Sequence, residues 1–305
     1  MFLIKKIIVT EVKPTSESEV YDIIIEARKD KRKIGIRGFG RHTRRELKCD
    51  LIISTTNLNN FEIKENKIIA ESGADIQKIR EEALQKDLLL PTFYDGSIGG
   101  LLALNEVSSI STAYGTPWDF TEWIDFITYL GKIRWRIAIG SQGLFGVISK
   151  ASIKLFERPK KVFIYEREII DKKEIENQLR KLIHLKPIAL LVEYDGNKRS
   201  FEIHSSFTTE YALEGYSKDE GVPIISELSD KNSYIVYVND FIEDFISIAN
   251  KISPYYMYGI YGVNSIKIYV TDESLLKGLK YHPRHEAHPI FYKIKRILDL
   301  YNIFA

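Results

Sequence analysis

The stretch DGSIGGLLALN, residues 95–105, puts three glycines into five positions and then runs into apolar sequence. Gly96, Gly99 and Gly100 tolerate positive φ without steric cost, so their N–H groups can converge on one point. Such a concavity binds anions, and a helix beginning behind it adds partial positive charge. The expected occupant is a phosphate or diphosphate; the competing reading is an ordinary glycine turn that binds nothing.

A second glycine loop lies upstream. IRGFGRHTRR (36–45) carries Arg37, Arg41, His42, Arg44 and Arg45 around Gly38 and Gly40. One loop brings main-chain donors, the other adds fixed positive charge, and together they suit a partly buried diphosphate. Arg44 and Arg45 read equally well as a solvated basic helix face. A Rossmann fingerprint is excluded: Thr43 stands where its third glycine belongs, and the next strand ends in Ser54 and Thr55 instead of an acid. No G-K-[ST] follows a glycine run, so a Walker A loop is excluded too.

Around the loops the chain reads as short elements. Over 14–33, Ser16 and Glu19 have capping-box spacing, and Val20, Ile23, Ile24 and Ala27 form one apolar helix face. Residues 33–37, 50–55 and 67–73 read as strands, with a polar turn at 56–60. Residues 75–86 predict a helix with Ile76, Ile79, Ala83 and Leu84 inward. Residues 126–140 predict a hairpin turning at Gly131-Lys132, and 147–159 a half-buried strand stopped by Pro159. Beyond it, strand-like runs at 162–170, 188–196, 199–205, 233–240 and 265–270 alternate with helical stretches at 173–184 and 240–252. That is the pattern of an α+β layer on one sheet. Residues 289–304 predict a terminal helix, and the boundary between the halves falls near 158–162.

At 305 residues the chain accommodates two domains or one large one, and its 44% apolar and 28% charged residues are the balance expected of a soluble globular protein. A net charge of +2 creates no field favouring nucleic acid or an anionic membrane, so neither is an expected partner. No apolar run is long enough for a membrane span, and MFLIKKIIVTEV is charged too soon for a signal peptide. A cytoplasmic location is expected. Cys49, the single cysteine, excludes internal disulfides and any iron–sulfur cluster held by this chain alone. Abundant Lys, Glu and Ile beside two Met and one Cys point to a thermophile.

Read in order, the motifs are P-T-S-E-S-E-V, I-G-I-R-G-F-G, D-L-I-I-S-T-T-N-L-N, E-S-G-A and L-L-L-P-T, then D-G-S-I-G-G-L-L-A-L-N, A-Y-G-T-P-W-D and G-S-Q-G-L-F-G-V-I-S-K-A-S-I-K-L. Over residues 14–158 this order resembles the FAD-binding domain of the vanillyl-alcohol-oxidase (PCMH-type) family. Within that family it is most similar to the FAD-binding subunit of glycolate oxidase and related FAD-linked 2-hydroxy-acid dehydrogenases. The final K-I-K-R-I-L-D-L-Y-N-I-F resembles the family's C-terminal helix, and 160–285 matches loosely, as a cap domain does. The resemblance implies an α+β fold: a PCMH-type FAD-binding domain of two α+β subdomains over 1–159, a smaller α+β cap or substrate domain over 160–285, and a C-terminal helix over 286–305 returning to the FAD domain.

It also implies where FAD sits, extended between the two subdomains. Arg37, Gly38, Phe39, Gly40, Arg41 and His42 would form the first diphosphate loop. Gly96, Ser97, Ile98, Gly99 and Gly100 would form the second, with the Ser97 hydroxyl as a further donor and Asn105 closing the stretch. Gly73, Gly140, Gly143, Gly146, Val147 and Ile148 would line the adenosine and ribityl portions. The chain departs from the family in two places. Asn105 is followed by Glu106-Val107-Ser108 where relatives commonly read N-A-G-G, and the segment relatives carry between Arg136 and Gly140 is missing. Some members attach FAD covalently through a His directly after the first glycine pair; Arg41 stands there and His42 is one step on, so non-covalent FAD is expected.

The implied activity is oxidation of a small 2-hydroxy acid (glycolate or lactate type) by hydride transfer to flavin. Electrons would pass to an iron–sulfur partner subunit, with a second flavoprotein subunit as a further partner. Such chemistry needs a cation for the carboxylate and a base for the hydroxyl proton. YHPRHEAHP (281–289) holds three of the six histidines, and Arg284, His285 and His288 are the catalytic candidates. His282, His285 and His288 also have a spacing open to Zn²⁺ or Fe²⁺, although no metal is assigned, and a plain polar loop is the competing reading. Asp195-Gly196-Asn197 lacks the family's flanking histidines and reads as a hairpin turn, and the Tyr-rich run 253–270 as packed sheet or pocket wall. The alternative function is a non-catalytic structural subunit, FAD-bound or FAD-free, stabilising a catalytic flavoprotein paralogue. A third reading is UDP-N-acetylenolpyruvoylglucosamine reductase, which shares the fold.

Overall fold

The computed structural model describes residues 9–42, 48–226, 228 and 232–305. After β1 (Thr10–Val12), α1 (Glu17–Lys29) starts where Ser16 Oγ accepts the Glu19 N–H and the Glu19 carboxylate accepts the Thr15 N–H. Two strands follow, β2 (Ile34–Arg37) and β3 (Leu51–Ser54). Next come β4 (Phe61–Lys64), β5 (Lys67–Glu71), α2 (Ile76–Gln85) capped by Asp75, and β6 (Leu88–Leu89). Ser97 caps α3 (Ile98–Leu104). Two single turns, α4 (Ser111–Tyr114) and α5 (Pro117–Phe120), lead to β7 (Thr121–Thr128), β8 (Gly131–Arg134), β9 (Val147–Lys154) and β10 (Phe156–Glu157). The remaining chain forms β11 (Phe163–Ile169), α6 (Lys172–His184), β12 (Ala189–Asp195), β13 (Ser200–Phe207), β14 (Ser217–Glu220) and β15 (Ser233–Tyr237). It ends with α7 (Phe241–Ile252), β16 (Tyr256–Ile260), β17 (Ser265–Tyr269), β18 (Tyr281–Pro283) and α8 (Pro289–Leu298).

The fold is α+β and divides into two compact units. The first takes in Met1–Glu106, Pro117–Glu157 and Ala287–Ala305. It contains a parallel sheet, order β1-β3-β2, and an antiparallel sheet, order β4-β5-β9-β7-β8. Val20, Ile24 and Ala27 of α1 bury against Ile34, Leu51 and Ile53 of the parallel sheet, together with Ile303 and Phe304 from the C-terminus. The antiparallel sheet packs Ile68, Ala70, Ala151 and Ile153 against Ile76 and Ile79 of α2 and Leu101 and Leu102 of α3, and α8 adds Phe291 and Ile294.

The second unit, Val107–Thr116 and Arg158–Glu286, is one eight-stranded antiparallel sheet of order β14-β11-β13-β12-β16-β17-β15-β18. Helices α6 and α7 cover one face, burying Ile175, Leu179, Leu182, Phe241 and Phe245 against Val192, Ile203 and Ile268. The β12–β13 turn is the one expected at Asp195-Gly196-Asn197: Asp195 Oδ1 accepts the N–H groups of Asn197 at 2.8 Å and Lys198 at 3.2 Å.

Four expectations need correction. Leu84 is 43% exposed; at about 100° per residue it lies roughly that far from the centre of the stripe set by Ile76, Ile79 and Ala83. The hairpin turns at Tyr129-Leu130, because Thr128 pairs with Gly131 and Thr128 Oγ1 accepts the Leu130 N–H at 3.0 Å. Its second strand stops at Arg134, and Arg136–Ala138 form a 3₁₀ turn. The terminal helix ends at Leu298, where Asp299 draws the following main-chain N–H groups onto its own carboxylate and Phe304 pairs in parallel with Ile34.

Candidate functional site

In the first unit the loop after β2 and the loop before α3 wall one cleft with about 110 Å³ of free space. A Cβ on Gly38 would run into Ser97 Oγ, so the two loops meet only because position 38 carries no side chain. His42 Nε2 pairs with the Asp95 carboxylate, and Arg41 Nη1 donates to the Asp95 carbonyl at 2.5 Å. The His42 and Tyr94 rings lie 4.6 Å apart. The hydrogen bond from His42 holds the Asp95 carboxyl below its usual range. Arg37 is committed to Glu11, and Phe39 carries the Arg41 guanidinium 5.5 Å from its ring centroid.

The glycines of the second loop act otherwise than their freedom predicts. Gly96, Gly99 and Gly100 all keep ordinary negative-side backbone, whereas Gly40 and Gly143 take φ of +76°. The first N–H groups of α3 are already bonded within the protein: Ile98 to the Ala74 carbonyl at 3.0 Å, Gly99 to the Ser72 carbonyl at 2.7 Å, Gly100 to Ser97 Oγ at 3.2 Å. Glycine is required there for close packing. A Cβ at Gly99 would sit 2.9 Å from Ser72 Cβ, and one at Gly100 would sit 2.5 Å from the Tyr94 hydroxyl. The Tyr94 ring therefore occupies the space beside Gly96 and Gly100.

One group in the cleft is left wanting a ligand. Ser72 lines it, and its buried Oγ has no hydrogen-bond partner among the described residues. Leaving such a hydroxyl unsatisfied costs about 1–3 kcal/mol, which a polar ligand atom would recover. Arg41, His42 and the main chain of Gly38 and Gly40 line the same cleft, and this lining fits an anionic, hydrogen-bonding group.

Of the other residues singled out, Gly143, Gly146 and Ile148 line the cleft. Gly73, Ile98, Asn105, Gly140 and Val147 stand outside its lining. Gly73 N–H donates to the Leu58 carbonyl at 2.7 Å, and Ile98 and Val147 are fully buried in the core. Asn105 ends α3 in the left-handed region, φ 48°, and its Oδ1 accepts the Trp118 N–H at 2.9 Å. Gly140 N–H donates to the Leu102 carbonyl at 2.8 Å. Ile36, Thr55, Ser72, Tyr94 and Gln142 line the cleft without having been singled out. Ser72 and Tyr94 each adjoin a glycine of interest, and reading for bare backbone passes over such side chains. Arg44 and Arg45 lie outside the described residues.

This cleft sits at the loop ends of a parallel and an antiparallel sheet and is lined by both charged groups and hydroxyls. Residues 10–136 match the family model of the FAD binding domain. The fold agrees with that FAD binding domain. BBE-like #28 from Arabidopsis thaliana is similar with a TM-score of 0.61 at 14% identity, over 95% of this chain and 76% of its own. Two crystal forms of alkyldihydroxyacetonephosphate synthase are similar with TM-scores of 0.65 and 0.64 at 12% identity, over 96% of this chain and 76% and 75% of theirs. At such identities the likeness is one of fold, and the α+β PCMH-type fold expected from the motifs is the fold observed. No curated protein matches the chain. Among the described residues no helix is long and apolar enough to cross a membrane.

The catalytic candidates occupy separate settings. Arg284 N–H donates to the Ser233 carbonyl at 2.9 Å, and His285 is exposed in the turn after β18. His282 stacks on Tyr237, with its Nδ1 3.0 Å from the Tyr237 hydroxyl. Among the described residues, His282, His285 and His288 do not converge as metal ligands. His288 caps α8, its Nδ1 accepting the Ile290 N–H at 3.1 Å, and burial lowers its pKa.

That cap carries a pH prediction. Only the neutral ring accepts at Nδ1, and the lowered folded value means the unfolded chain takes up the proton first. The cap's contribution is thus complete above about pH 6.5, declines as pH falls toward the lowered folded value, and is flat below it. The melting temperature should drop across that window. His288→Asn, which keeps an acceptor at the cap, should remove this part of the slope; identical slopes in both proteins would exclude the mechanism.

Proposed function

We propose that the chain is the FAD-carrying subunit of a dehydrogenase that oxidises a small 2-hydroxy acid of the glycolate or lactate type. The supporting observation is the cleft where positions 38 and 97 meet, whose buried Ser72 hydroxyl has no partner among the described residues. Bound there, FAD would supply the hydride acceptor and store the electron pair. Gly38 and Gly40 would offer main chain to the diphosphate, Ser72 and Ser97 their hydroxyls, and, after release from Asp95, Arg41 its guanidinium and His42 a ring N–H. The resemblance to the glycolate oxidase subunit supports the substrate class. In the second unit, read as the cap, Arg284 would hold the substrate carboxylate and His285 take the hydroxyl proton. With Cys49 as its single cysteine, the chain would pass electrons to an iron–sulfur subunit.

A second reading, a non-catalytic structural subunit, FAD-bound or FAD-free, that stabilises a catalytic flavoprotein paralogue, is favoured by the use of His288 as a helix cap. Absorbance of the purified chain separates the two. The first predicts a visible flavin band, released by denaturation, that bleaches on anaerobic addition of glycolate or D-lactate. A chain that stays yellow without bleaching, or a colourless one that takes up no FAD, defeats the first reading and supports the second.

A further inference from the structure

On β11, β12 and β13, Tyr165, Val192, Tyr194, Phe201 and Ile203 point into the core under α6 and α7. The alternating positions Glu166, Glu193, Glu202 and His204 therefore share the opposite face of the sheet. We propose that His204, Glu193 and Glu202 bind a divalent transition-metal ion of the zinc class on that face. One ligand atom from each lies within 4.8 Å of the others. His204 Nε2 stands 3.0 Å from Glu193 Oε2 and 3.9 Å from Glu202 Oε1.

Three further features single out this group. His204 Nδ1 is 2.7 Å from Glu166 Oε1, so a separate carboxylate orients the ring and aims Nε2 at the other two. Metal-ligating histidines almost always have such an anchor on their second nitrogen. Tyr256 donates its hydroxyl to Glu193 Oε1, which leaves Oε2 for the site. Finally, Glu193 and Glu202 stand directly opposite each other in the β12–β13 register, a like-charge cross-strand pair that a shared cation would relieve.

One imidazole and two carboxylates suit zinc-class ions, whereas all-oxygen sets suit Mg²⁺ or Ca²⁺. Three protein ligands leave a coordination position open. His204 and Glu193 side chains are 12% and 14% exposed while Glu202 is 52% exposed, so an ion enters from the Glu202 side. The site lies wholly in the second unit and does not depend on the flavin reading.

Zn²⁺ titration of the chelator-treated full chain by calorimetry tests this, with Co²⁺ absorption as an independent measure of coordination. The wild type should bind one equivalent and gain melting temperature with added Zn²⁺. His204→Gln and Glu202→Gln should weaken binding at least tenfold, and Glu166→Gln, outside the ligand set, about 10–100-fold. Flavin content should not change in any of them. Glu202 is half exposed, so its variant keeps the fold. Failure of the wild type to take up Zn²⁺, or undiminished uptake by Glu202→Gln and His204→Gln, would overturn the assignment.

Discussion

Asp299→Ala should lower the stability of the first unit by about 3–5 kcal/mol, the range for breaking a buried ion pair by removing one partner. Asp299 is 3% exposed. Its carboxylate pairs with Lys295 Nζ at 2.6 Å and accepts the N–H groups of Ile303 at 2.7 Å and Phe304 at 3.0 Å. Lys295 in turn donates to the carbonyls of Leu144 and Phe304. Alanine would take the Asp299 carboxylate away from a largely buried ammonium and leave two buried N–H groups without the acceptor they use. The damage spreads because Ile303 and Phe304 complete the core under α1, and the Ile303 carbonyl accepts the Ile34 N–H at 2.8 Å. A typical domain has only about 5–15 kcal/mol in total, so the variant should unfold at far lower denaturant. A midpoint close to wild type would show that the C-terminal segment after α8 is held by something else.

Gly38→Val should weaken FAD binding by roughly 10–100-fold in a folded protein. The new Cβ would collide with Ser97 Oγ and force the two loops apart. Overpacking of this kind costs about 1–3 kcal/mol, and about 1.4 kcal/mol corresponds to tenfold in affinity. Gly99→Val should also impair binding, by a route other than blocking a phosphate. Its side chain would press on Ser72 Cβ at 2.9 Å and displace the hydroxyl that wants a ligand. FAD titration by fluorescence, beside circular dichroism to verify folding, distinguishes lost binding from lost structure. Wild-type affinity in a folded Gly38→Val protein would detach the flavin from this cleft.

Local signals in the chain were enough for α1, α2, α6 and α7 and for most of the strands as runs along the sequence. Ser16 with Glu19, and Asp195 before Gly196-Asn197, act within a few residues, so their hydrogen bonds follow from spacing alone. The glycines at 38, 96, 99 and 100 announced a close approach, and the family resemblance connected it with FAD. Tertiary structure decided the chemistry around them. Whether the N–H groups of 98–100 face a ligand depends on where the carbonyls of Ala74 and Ser72 and the Ser97 hydroxyl lie, and those lie close enough to take them. Tyr94, legible only as an aromatic in a loop, fills the space that bare backbone seemed to offer.

The gathering of Glu166, Glu193, Glu202 and His204 was equally invisible, since strand register across β11, β12 and β13 places residues from separate runs side by side. Periodicity says which face of a strand a side chain takes. It carries no information about which strand comes to lie next to it, because that choice is made by the packing of the whole sheet.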